Sequence, residues 1–144
     1  MASTFHSVEV TRGDFRYNEK GVYPLYGTYE LAAALVQNDV IQMANIKEGT
    51  RVIEVMVFTD DLEASGSATV FDVGDSGSTA RFITGSTIAQ AGGQVSSKDA
   101  TYGVASGLGY QYTANDTIDI KFTAVGTGNT SGTVTLYALV CNDV

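Results

Sequence analysis

The chain has 144 residues, 44% hydrophobic and 17% charged, which fits one folded domain with a sizeable core and excludes a disordered chain. Its 8 Lys and Arg stand against 16 Asp and Glu, a net charge of −8 that argues against nucleic acid or an anionic membrane surface as a partner. The single cysteine, Cys141, excludes an internal disulfide framework, and no run reaches the roughly 20 apolar residues of a membrane-spanning helix. The opening MASTFHSVEVTRGDF lacks the apolar run of a signal peptide, so a soluble protein made in the cytoplasm is expected.

Residues 1–24 are set apart by charge and composition. Arg12, Arg16 and Lys20 balance Glu9, Asp14 and Glu19, so the whole imbalance lies in residues 25–144, with 5 basic against 13 acidic groups. Phe5, Phe15, Tyr17, Tyr23, Tyr26 and Tyr29 crowd into the first 29 residues with no period of 2 or 3.6. Such a stretch has large side chains to bury and no regular element to bury them with. It is expected to form an extended arm, ending at Tyr23-Pro24, that packs on another surface. Phe5, Phe15, Tyr17 and Tyr23 are its expected apolar anchors, and Arg12 and Arg16 its polar contacts.

Residues 25–144 form the expected body. Their 16 glycines (counted with the arm), Thr, Val and Ile content and lack of tryptophan favour short strands joined by tight turns. Residues 26–36 are ambiguous, because Leu31 to Val36 could make a short helix and the Ala run weakens the case for a strand, and Asn38-Asp39 is a turn signal. A strand is expected over 40–46. The next, after Gly49, places Val52, Glu54, Met56 and Phe58 on one face and Arg51, Ile53, Val55 and Val57 on the other. Both faces are largely apolar, as in a strand covered by two layers. DDLEASGS reads as a loop, SATVFDV as a strand, and GDSGS as a turn into TARFITG. Residues 84–109 read as mostly glycine-rich loop with one weak strand around 100–105.

Two strands close the chain, with Ile118, Ile120 and Phe122 alternating in one and Val134, Leu136, Ala138 and Val140 in the other. The linker GTGNTSG suggests that they pair as an antiparallel hairpin. An internal echo supports an all-β chain. Asn38-Asp39 with Gly49-Thr50 is repeated by Asn115-Asp116 with Gly132-Thr133, each set framing a strand and a longer strand. Together these features predict an antiparallel β-sandwich, jelly-roll-like, with an N-terminal arm.

Catalytic chemistry finds little to work with. His6 is the sole histidine and lies in the arm, and with one cysteine beside it the usual zinc sites cannot be built. Asp60, Asp61 and Glu63 cluster in a loop, while Asp72 and Asp75 with Gly74 and Gly77 resemble a calcium loop without the required spacing. GVASGLG, over residues 103–109, has no lysine after it and does not make a phosphate loop. Arg12-Gly13-Asp14 is a tripeptide too short to carry weight. No enzymatic activity, cofactor or metal is therefore expected, and an interaction protein remains.

The stretch from Leu35 to Ser86, with its Asn-Asp turn, Gly-Thr-Arg-Val, Asp-Val-Gly-Asp and Arg-Phe-Ile, resembles small structural proteins of tailed bacteriophages. The closing segment Tyr112-Thr113-Ala114-Asn115-Asp116-Thr117-Ile118 fits the same pattern. The resemblance implies a head decoration or cement protein. Such a protein sits as an oligomer, often a trimer, on the outer surface of the capsid and binds the major capsid protein. It brings no catalytic residues with it. An alternative function is a tail or head-fibre-associated protein whose 84–109 loops contact a host glycan.

Overall fold

Eleven strands, the longer ones built on alternating apolar and polar residues, lie among residues 2–7, 10, 11, 13 and 21–142, which the computed structural model describes. They are β1 (Thr4–His6), β2 (Val22–Glu30), β3 (Val40–Ile46), β4 (Thr50–Thr59), β5 (Glu63–Ser65) and β6 (Val70–Gly74). These are followed by β7 (Ile83–Ser86), β8 (Gly93–Ser96), β9 (Asp116–Ala124), β10 (Thr127–Gly128) and β11 (Thr133–Asn142). One sheet has the order β1-β3-β9-β6-β7, the second the order β2-β11-β4-β8, and β5 pairs with β10. The fold is a β-sandwich as expected, antiparallel throughout except where β1 joins β3 in parallel.

The core lies between the two sheets. Ile41 of β3 faces Ile120 of β9, and Phe71 and Val73 of β6 extend the layer, all fully buried. From the opposite sheet come Val52, Val55 and Val57 of β4 and Val134, Leu136, Ala138 and Val140 of β11, also fully buried. Burying such a side chain contributes on the order of 1.5–3 kcal/mol, so these facing rows dominate the stability of the fold.

The hairpin expected from the last two strands does not form. β9 lies between β3 and β6 in one sheet, whereas β11 lies between β2 and β4 in the other, and 125–132 crosses from sheet to sheet. Both strands carry a full apolar row, and each row is covered by facing the other layer rather than by lying beside its chain neighbour. The echo has a structural counterpart of the same kind. β3 and β9, each following an Asn-Asp pair, are paired with each other, and so are β4 and β11, each beginning at a Gly-Thr pair. The repeated unit is thus an arch between sheets. Gly49 (φ 87°) and Gly132 (φ 148°) mark the two crossings with backbone angles that favour glycine.

Other expectations change in detail. The register of β4 on β11 slips between Leu139 and Val140, leaving Ile53 as the extra residue of a bulge. The bulge inverts the alternation, so Val52 joins Val55 and Val57 on the inner face while Arg51, Glu54, Met56 and Phe58 point outward. β4 is therefore covered on one side by the opposite sheet rather than enclosed between two layers. Of residues 26–36, 26–30 belong to β2, while 31–36 are neither helix nor strand, although Leu31 and Leu35 are buried. The expected loop at 60–67 contains β5. Within 84–109, β7 runs on to Ser86 and a further strand is at 93–96, while Gly103 makes only an isolated bridge to Ile83. Small residues hide this strand from hydropathy, yet Val95 is buried.

The arm was expected to end after Pro24, but β2 runs from Val22 to Glu30 straight through that point. Pro24 is tolerated because β2 is an edge strand. Where this edge meets the other sheet, a Cβ on Gly27 would fall 1.8 Å from the Met43 carbonyl oxygen. Ser7 Oγ donates a 2.6 Å hydrogen bond to that same carbonyl. Any side chain at position 27 must push the sheets apart. Gly27→Ala is expected to destabilise the protein by roughly 2–4 kcal/mol in denaturant titration. A loss below about 0.5 kcal/mol would show that the two edges are not held in contact.

Candidate interaction surface

The two sheets present outer faces of opposite character. On the five-stranded sheet the register places Thr4, Val40, Lys121 and Asp72 in one row, and His6, Gln42, Asp119 and Gly74 in the next. That face is polar and charged. On the four-stranded sheet one row runs Thr28, Thr135, Phe58, Gln94, and the next Tyr26, Tyr137, Met56, Ser96. Below them lie Pro24, Leu139 and Glu54, then Val22, Cys141 and Arg51.

This second face is apolar and exposed. Val22 is 59% exposed, Tyr26 52%, Phe58 40% and Tyr137 39%, and they lie on three adjacent strands. An apolar sheet face of this kind is a candidate interaction surface, and tyrosine suits it because the ring is apolar and the hydroxyl tolerates water. A shallow groove of about 370 Å³ continues the face past Phe58, Gln94 and Thr135 to Asp60, Gly93 and Thr133. Charge is confined to particular places. Lys98 Nζ and Glu54 Oε2 pair at 3.3 Å in the row next to Arg51. Glu30 and Asp60 meet at one end, where Thr133 Oγ1 donates to Glu30 at 2.9 Å and Thr133 N to Asp60 at 2.9 Å. Arg51 lies at the other end, donating to the Gly109 carbonyl at 2.6 Å and to Gln111 Oε1 at 3.2 Å.

The buried polar groups serve the fold. Asp75 accepts from Gly77 N and Ser78 N at 3.0 and 2.9 Å, from Tyr112 Oη at 2.8 Å, and from Arg81 in a two-point ion pair. Burial pushes the Asp75 carboxyl up, but Arg81, Tyr112 and the Ser78 N–H outweigh it and hold the group below the ordinary carboxylate range. Arg81 also lies over the Tyr110 ring, 3.7 Å from its centre. Asp75, Arg81 and Tyr112 are thus engaged with one another and with the 75–78 turn. The other candidate acids are likewise engaged with backbone N–H groups. Glu63 accepts from Ala68 N and Thr69 N, Asp61 from Glu63 N, and Asp72 from Gly85 N. Among the described residues no three His, Cys, Asp or Glu side chains converge as metal ligands.

Of the six contact residues expected from the sequence, Arg12, Phe15, Arg16 and Tyr17 lie outside the described residues. The other two are placed on the chain's own body. Tyr23 is 8% exposed and part of the core, opposite Val140 on β11. Phe5 packs against Tyr29, ring centres 5.6 Å apart. Sequence reasoning did not single out Tyr26, Met56, Phe58 and Tyr137 as one surface. A signal was present in the apolar residues on both faces of 50–59 and in Tyr137 and Leu139 on the nominally polar side of the last strand.

No protein-family model and no curated protein sequence matches the chain. Solved structures do match. A chain from the capsid of Ralstonia phage GP4 superposes with a TM-score of 0.77 at 18% identity, covering 98% of this chain and 99% of that one. A chain of the cyanophage Pam1 capsid asymmetric unit gives 0.68 at 22% identity, over 89% and 94% of the two chains. One from the acid-stable capsid of the Helicobacter pylori bacteriophage KHP30 gives 0.54 at 14% identity, over 84% and 88%. The chain shares its fold with phage capsid chains.

One titration follows from the polar outer face. The turn after Gly74 folds back so closely that a Cβ there would meet the Ser78 carbonyl oxygen at 2.0 Å, and it covers the row containing Asp119. Burial pushes Asp119 up to about 7, against a bond from Thr117 and with the help of Asp116 and Asp75. A carboxyl raised in the folded state favours folding at low pH, and that contribution is lost as pH rises through about 7. Asp119→Asn is expected to raise the melting temperature at pH 8 and to flatten its fall between pH 5 and pH 8, read by thermal unfolding across about three pH units. An unchanged pH profile would place the charge elsewhere.

Proposed function

We propose that this chain is a structural protein of a bacteriophage virion, a decoration or cement protein. It binds the outer surface of the head, assembles with further copies of itself and bridges neighbouring major capsid proteins. The observation that carries this reading is the likeness to capsid chains over nearly the full length of both partners. Two features of the molecule support it. The sandwich exposes one apolar, tyrosine-rich face on a chain of net charge −8, and its buried acids are engaged in the fold rather than in catalysis. A protein that binds the assembled shell and not its dispersed subunits stabilises the shell by mass action.

The arm contributes contacts in this reading. Phe5 and Tyr23 hold the chain to the body on either side of residues 12–17, and Arg12, Phe15, Arg16 and Tyr17 touch the neighbouring protein. Both apolar burial and charged hydrogen bonds are thereby brought to the shell.

The test is sedimentation of the purified chain with heads that lack it. Binding to heads, with a higher temperature of head rupture, is expected. Replacing Arg12, Phe15, Arg16 and Tyr17 together by alanine is expected to weaken binding by at least about 10-fold without changing the melting temperature of the free protein. Failure to bind heads, with location on tails and binding to glycans instead, would overturn the reading in favour of a host-recognition role.

A further inference from the structure

We draw no further inference here: the strongest candidate, the apolar outer face of the four-stranded sheet with the shallow groove that continues it past Phe58 and Gln94, carries none because nothing in the structure shows what covers it.

Discussion

Everything in this protein depends on two apolar rows facing each other across the sandwich. Ile41, Ile118, Ile120 and Phe122 on one side and Val52, Val55, Val57, Leu136 and Val140 on the other are all fully buried. Each strand must keep its apolar residues in phase with this interior, and the irregularities of the sheets serve that requirement. The bulge at Ile53 returns Val55 and Val57 to the inside after Val52. A second shift, between Gln42 and Ala44, does the same for Ala44 and Ile46 on β3. At the edge, Gly27 has no side chain and allows β2 to close onto the Met43 carbonyl.

Once the interior is assigned, the outer faces are what remain, and they are unequal. The face with Asp72, Asp119 and Lys121 is self-sufficient in water, and the turn after Gly74 folds back over part of it. Asp75 and Tyr112, both buried, and the partly exposed Arg81 form a network in which removal of Asp75 would leave the Tyr112 hydroxyl without this partner. The face with Val22, Tyr26, Phe58 and Tyr137 has no such internal solution. Its solvent exposure is a standing free-energy penalty that association relieves, which makes an assembly role physically natural for the chain.

The strands at 40–46 and 116–124 were legible because alternation has a period of two and is a local property of the sequence. The same holds for the turn at Asn38, which has φ 72°. The 93–96 strand was not legible, because Gly93, Gln94 and Ser96 carry no apolar row and their pairing to β4 supplies the order. The interaction surface was legible in pieces only. Tyr26, Met56 and Tyr137 are far apart in the chain, and the register of β2, β11 and β4 brings them together. Tyr23 looked like a residue in search of a partner because hydropathy cannot show that Val140 lies opposite.

The sequence by itself determined the all-β class, the places of the turns and the concentration of acidic charge after residue 24, since these reside in composition and in relations between near neighbours. Only the tertiary structure decided that consecutive strands cross between sheets rather than form hairpins. It also decided that the bulge turns Met56 and Phe58 outward, and that Tyr23 and Phe5 are occupied within the chain. Those outcomes follow from competition among long-range apolar contacts for one shared interior, and no local pattern records which rows win.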